Sequence, residues 1–189
     1  MLKNIKRRLF SWFLDRYKKS KRRKSVTDIN EALELAKKAI STNKYAFLIT
    51  NNGSNSPSAR LVEPVVNYEE MTFWIGTNPS LRKIEEIKEN PAVTLAFGNE
   101  KNDSNVVIQG IANVENNPDF ARQHWKAYWR LFFPDGPESA DFILIRIEWQ
   151  SIEVLDFSRN IIPEPFGLKP LKIMRHQING EQKQSREEA

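Results

Sequence analysis

Apolar residues along this chain change their spacing several times, and each change marks a new element. Ile29, Leu33, Ala36 and Ile40 recur at helical intervals behind Asp28 and Glu31, which are placed like a capping box. This predicts a helix over Ile29–Ser41. Tyr45–Thr50 is a short apolar run typical of a buried strand, and the polar stretch Asn51–Asn55 reads as a hairpin turn. Ser58–Val66 predicts a second strand, Asn67–Glu70 a turn, and Met71–Ile75 a third strand. A helix is expected next, from Ser80 as N-cap to just before Pro91, because the residue preceding a proline disfavours helical dihedrals. Ala92–Phe97 and Val106–Val114 continue the strands, the latter bent or bulged at Gly110. Pro118 at N1 opens a helix expected to reach Phe132, with Pro134-Asp135-Gly136-Pro137 as its stop. Phe142–Trp149 and Ile152–Phe157 complete the body as one long strand or a tight pair.

Strands in hairpin order, with short helices and no regular strand–helix–strand alternation, predict a mainly β (α+β) fold. Six to seven mostly antiparallel strands closing into a barrel would remove exposed edges. Three segments follow: a basic amphipathic extension over 1–25, a barrel domain over 26–160, and a C-terminal strap over 161–189 fading into a flexible tail. Ser25–Thr27 marks the first boundary.

A chain of 189 residues with 40% apolar content can bury a real core. Cysteine is absent, which excludes disulfides, thiolate metal sites and a thiol nucleophile. His124 and His176 share no metal-ligand spacing, so no metal centre is expected. The net charge of +5 conceals an asymmetry: residues 1–24 hold eleven Lys and Arg against Asp15 alone, a net +10, which leaves −5 on the rest. The basic character thus belongs to the tail, and nucleic acid is a disfavoured partner for the body. In the tail, Leu2, Ile5, Leu9, Phe10, Trp12, Phe13, Leu14 and Tyr17 fall mostly on one helical face, with Lys6 and Arg16 intruding. The block Leu9–Leu14 is too short for a leader core or a bilayer span. The tail is therefore either an interfacial helix for an anionic membrane surface or a loosely packed basic extension. The expected location is cytoplasmic, peripheral at the membrane through residues 1–24.

Thr77-Asn78-Pro79-Ser80-Leu81-Arg82-Lys83 carries the chemistry. It joins a predicted strand to a predicted helix, bringing backbone N–H groups, hydroxyls and two cations to one place, as a phosphate requires. Cations in a first helical turn oppose the helix dipole unless an anion is present. Neither Gly-x-Gly-x-x-Gly nor a P-loop occurs, so the phosphate would not belong to a Rossmann dinucleotide or a P-loop triphosphate.

The order Ala59-Arg60-Leu61-Val62, Met71-Thr72-Phe73-Trp74, Thr77 to Lys83, and Glu89-Asn90-Pro91-Ala92-Val93 resembles the pyridoxamine 5′-phosphate oxidase-like family of FMN-binding split barrels. Gly110-x-Ala112, Trp125 and Phe132-Phe133-Pro134-x-Gly136 resemble its general stress protein branch. The resemblance implies a homodimer with FMN at the subunit interface. It places Arg82 and Lys83 on the phosphate with Thr77 beside them, and Ser80 one position off the family's serine. Arg60, Leu61 and Val62 then lie on the strand along the flavin, and Asn105 lies where a glutamine touches the ring.

The departures are equally specific. Val65 stands where the oxidase has a lysine, Arg175 and His176 are adjacent and out of pattern, and Leu155 replaces a tryptophan. Oxidation of pyridoxamine phosphate is therefore not expected. No residue is marked as an acid or base, so the catalytic residues are left open. The expected function is a flavin-dependent oxidoreductase of unknown substrate. The alternatives are a non-catalytic flavin-binding stress or redox sensor, or a membrane-surface interaction module. FAD, a deazaflavin or haem stay open beside FMN.

Overall fold

The computed structural model describes residues 2–22, 26, 28–51, 56–158, 161 and 171–178. The predicted hairpin turn, the first domain boundary and the C-terminal tail lie wholly or mainly outside the described residues. The chain folds as α1 (Leu2–Arg22), α2 (Ile29–Ser41), β1 (Ala46–Thr50), β2 (Ser58–Val62), β3 (Val65–Asn67), β4 (Thr72–Thr77), α3 (Arg82–Glu89), β5 (Ala92–Asn99), β6 (Ser104–Glu115), α4 (Pro118–Gln123), β7 (Ile143–Asp156) and β8 (Leu171–Met174).

The strands pair in the order β2-β1-β5-β6-β7-β4-β3, with β8 also on β7, and every pairing is antiparallel. Consecutive strands β2 and β3 thus stand at opposite ends of the path, although only Glu63 and Pro64 separate them. Two residues span at most about 7 Å, so the sheet has to curl until its ends nearly meet. The result is a split barrel with short helices, the expected fold.

Its strand inventory differs in two places from the sequence expectation. Ser58–Val66 is divided because Pro64, which has no N–H to give a ladder, ends the pairing with β1; β3 then pairs with β4. The last two apolar runs form one 14-residue strand, the first of the two expected alternatives. Leu171–Met174 adds β8, whose Ile173 is fully buried. Eight strands result among the described residues.

The core lies inside the curl, built from Phe73, Phe97, Leu48, Leu95, Ile108, Ile145, Ile147 and Ile152. Helix α2 closes part of it with Ala32, Leu33, Ala36, Ala39 and Ile40, and Asp28 caps its start by accepting from the Glu31 N–H at 2.7 Å. The turn before β4 is held by Asn67 Oδ1, which accepts from the N–H groups of Glu69 and Glu70.

The helix expected over 118–132 is broken. α4 stops at Gln123, and Ala127–Leu131 forms a separate 3-10 turn. Lys126 adopts extended backbone and reaches Glu63 at 2.8 Å, while the Trp125 ring packs edge-on against Trp129 and Phe142. Those tertiary contacts replace the helical bonds of one turn. Trp125, Trp129, Phe133 and Phe142 join Trp74, Phe120 and Leu144 in a second, smaller apolar cluster.

Gly110 sits at a register shift between β6 and β7, where a bulge was expected; Gln109 faces Ser151 and Gly110 faces Trp149, so the extra residue is Gln150 of β7. A Cβ on Gly110 would lie 2.5 Å from the Glu148 carbonyl oxygen, so a side chain forces the two strands apart. Gly110→Ala should destabilise the fold by about 1–3 kcal/mol, as overpacking does, measured as a lowered midpoint in urea.

Candidate functional site

The strand–turn–helix junction assembles a charged cluster beside a cleft. Thr77 ends β4, and Asn78 starts the turn by accepting from both the N–H and the hydroxyl of Ser80, at 2.9 and 2.6 Å. This pair of hydrogen bonds draws Ser80 away from the helix, and Leu81 becomes the N-cap with no side chain capping α3. This corrects the expected Ser80 cap. The first N–H groups of α3 are consequently left without a side-chain acceptor, one of the conditions for anion binding.

Cations surround this helix start. Lys83 donates to the Thr77 hydroxyl at 2.8 Å. Arg60, projecting from β2, donates to the Thr50 hydroxyl and forms an ion pair with Glu86 at 2.8 Å. Arg82 reaches the other carboxylate oxygen of Glu86 at 2.9 Å and the Ser58 hydroxyl at 3.2 Å. Thr50 also donates to Glu86. One buried carboxylate therefore gathers three elements: β1, β2 and α3.

The electrostatics follow from burial. Burial would raise the Glu86 pKa, but hydrogen bonds from Thr50 and Arg60, with the charges of Arg60 and Arg82, hold it below its ordinary value. Burial pushes the Lys83 ammonium below its ordinary value, and Arg60 pushes it further, while Glu86 offsets part of this. Arg60, Arg82 and Lys83 against Glu86 leave the cluster with a net positive charge. A half-buried ammonium of lowered pKa is one that an arriving anion would stabilise.

A cleft of about 660 Å³ opens beside the cluster, within the size range of small-molecule sites. Leu61, Val62, Thr77 and Lys83 line it on one side, and Tyr128, Trp129, Leu131, Phe132 and Phe133 on the other. Asn105 lies elsewhere: it is paired opposite Gly98 and borders a second cleft of about 470 Å³ with Lys44, Phe47 and Leu61. The two clefts share Tyr45 and Leu61, so β2 forms the ridge between them. Of the candidate site residues, Thr77, Lys83, Leu61 and Val62 border the larger cleft, and Arg60 and Arg82 stand behind it on Glu86. Ser80 is turned into its own loop, and Asn105 is on the far side of the ridge.

Glu86 is not singled out by the sequence; its spacing of four from Arg82 was the available signal. Leu131 and Phe132, both exposed, were also missed. Glu63 is bound by Lys126 at 2.8 Å and by the Tyr128 hydroxyl, with Lys44 at 4.0 Å. Burial would raise the Glu63 pKa, yet these partners hold it below the ordinary value. It is a fixed carboxylate rather than a poised base. His124 lies outside the larger cleft and is held by the Phe120 carbonyl and ring.

Residues 31–179 match the family described as pyridoxamine 5′-phosphate oxidase like. The chain belongs to this family. Among solved structures it is similar to a Clostridium acetobutylicum protein related to general stress protein 26 of Bacillus subtilis. The two share 16% identity over 80% of this chain and 99% of that one, with a TM-score of 0.65. General stress protein 26 from Bacillus anthracis is similar at 19% identity, over 66% of this chain and 93% of that one, with a TM-score of 0.58. A haem-binding protein from Mycobacterium smegmatis shares the fold at 12% identity, over 76% and 57% of the two chains, with a TM-score of 0.56. No curated protein matches the sequence.

The charged cluster predicts a specific acid response. Because the folded Glu86 pKa is depressed, its contribution is complete above the ordinary value of 4.5 and is lost as pH falls through the folded value. Melting temperature should fall less steeply below pH 4.5 in Glu86→Gln than in the parent protein, although the variant starts lower.

Proposed function

We propose that this family member binds FMN in the larger cleft, with the phosphate at the start of α3 and the ring system toward the aromatic wall. The observation that carries this reading is an uncapped helix start whose Lys83 and Thr77 line the cleft, with Arg60 and Arg82 held on Glu86 behind them. A phosphate monoester bears nearly two negative charges at neutral pH, which suits a cluster of three cations and one carboxylate. Charge-assisted bonds of this kind contribute roughly 1.5–3 kcal/mol each. When bound, flavin supplies hydride or electron transfer, and the protein supplies position and electrostatics.

Haem is less well served. It needs an axial ligand, and among the described residues lining the cleft only Tyr45 and Tyr128 offer one, the latter with its hydroxyl on Glu63. Pyridoxamine phosphate is a poor substrate for this site, because Val65 supplies no cation and the nearby Lys44 and Lys126 are committed to Glu63. We therefore read the chain as an FMN-dependent oxidoreductase acting on another substrate. The fixed state of Glu63 favours a second reading, a flavin-binding redox sensor without turnover, and steady NAD(P)H oxidation would separate the two.

Phe47 and Leu61 are exposed on adjacent strands beside the ridge, and Leu131 and Phe132 are exposed on the wall. A second copy covering them accounts for this surface, and we propose a homodimer.

Arg82→Ala with Lys83→Ala should weaken FMN binding at least tenfold, about 1.4 kcal/mol, in a titration of the folded protein; unchanged affinity sinks the site. A haemin titration run in parallel should show the weaker binding. Light scattering should give twice the monomer mass, 44.0 kDa against 22.0 kDa, and a monomer holding FMN tightly would refute the shared interface.

A further inference from the structure

Helix α1 carries a surface that the barrel does not use. It lies outside the matched residues 31–179, so the family fold does not account for it. Over its 21 residues, Leu9, Trp12 and Phe13 are 61%, 56% and 70% exposed, and Phe10, Leu14 and Tyr17 are exposed as well. At 100° per residue these six occupy a single broad arc of the helix. Trp12 and Phe13 meet edge to face, and the Arg16 guanidinium lies 5.6 Å from the Trp12 ring centre. The opposite face is cationic: Arg7, Arg8, Lys18 and Lys19 fall there, with Asp15 as the only acid in the helix.

We infer that α1 is a reversible anchor that lays its Leu9–Trp12–Phe13 face into the surface of an anionic lipid bilayer. Both halves of the helix are then used at once. Apolar side chains enter the boundary between headgroups and acyl chains, and the flanking cations meet the lipid phosphates and carboxylates. Lys6 and Arg16, which intrude on the apolar arc, have stems long enough to bring their charges back to the headgroup level. Trp12 carries the side chain type that favours this interface. The helix lies flat rather than crossing, for among the described residues no helix is long and apolar enough to span a membrane.

Two other partners fit less well. A nucleic acid would neutralise the cations but leave Leu9, Trp12 and Phe13 in water. An acidic protein groove would need to match an arc that also holds Lys6 and Arg16. A net charge of +10 on residues 1–24 against −5 on the remainder also orients the molecule. An anionic surface attracts the helix and repels the body, which leaves the barrel facing solvent.

The test uses the full chain and sedimentation with two sets of vesicles: phosphatidylcholine alone, and an equal mixture of phosphatidylcholine and phosphatidylserine. Binding to the mixed vesicles should be at least tenfold tighter, and should weaken as salt is raised from about 0.1 to 1 M, where the screening length falls from about 10 to 3 Å. Trp12→Ser with Phe13→Ser keeps every charge and should bind the mixed vesicles at least tenfold more weakly. Arg7→Glu with Arg8→Glu keeps the apolar arc and should lose the preference for the mixture. Trp12 fluorescence, read against Trp12→Phe, should shift to the blue on the mixed vesicles. Equal binding by the Trp12/Phe13 variant would overturn the inference, as would equal binding to both vesicle types or tighter retention by duplex DNA than by the mixture. A lowered melting temperature in the Trp12/Phe13 variant would also overturn it, because the face would then be packed against the body.

Discussion

The two-residue connection from β2 to β3 is the constraint on which the rest of this structure depends. Those strands end the pairing order at opposite sides, and Glu63 and Pro64 alone join them. An open twisted sheet of this width would hold its edges many times farther apart than two residues reach. Curling is therefore required by chain connectivity, and hydrophobic burial fills the space it encloses with Phe73, Phe97, Leu48 and their neighbours. Pro64 also fixes where the barrel stays split, since it cannot extend the ladder. Glu63, held at the same seam by Lys126, pins the Ala127–Leu131 turn and with it the aromatic wall of the cleft.

Charge is arranged on the same scaffold. Glu86 is buried, and a buried carboxylate is tolerated only when paired and hydrogen-bonded. Thr50, Arg60 and Arg82 meet that need from three elements, which ties α3 to the β1–β2 hairpin. Lys83 is left with a hydroxyl as partner and with its charged form disfavoured by burial. Glu86 thus has two roles in one: it fixes the arginines, and it limits the positive charge presented to a ligand. A site with all three cations unopposed would cost more to fold; one with a second carboxylate would attract phosphate less.

The cationic helix α1 and the cationic cluster at α3 differ in kind despite their common sign. In α3 the cations sit at a helix start, Lys83 half-buried and Arg82 exposed, both fixed by named hydrogen bonds, which suits a small anion of defined shape. In α1 they lie on an exposed face beside bulky apolar side chains, which suits an extended and fluid partner.

Most strand positions along the chain, the capping of α2 by Asp28, the glycine at the β6–β7 bulge and the gathering of hydroxyls and cations over Thr77–Lys83 were legible in the sequence. Each rests on local chemistry: helical spacing, side-chain caps, a missing Cβ, or charge at a helix start. It also carried enough ordered motifs to reveal the family. Only the tertiary structure decided what distant residues do to one another. Ser80 lost the N-cap because Asn78 competes for it, and the helix after Pro118 broke because Lys126 is drawn to Glu63, 63 residues away. Asn105 fell across the β2 ridge from Lys83, since strand pairing rather than sequence order sets which face of the curl a residue meets. Glu86 carries no mark of its role in the sequence, because Arg60, 26 positions earlier, is brought against it only by the fold. Local patterning records which elements form, but a carboxylate's partners are fixed by how the sheet closes.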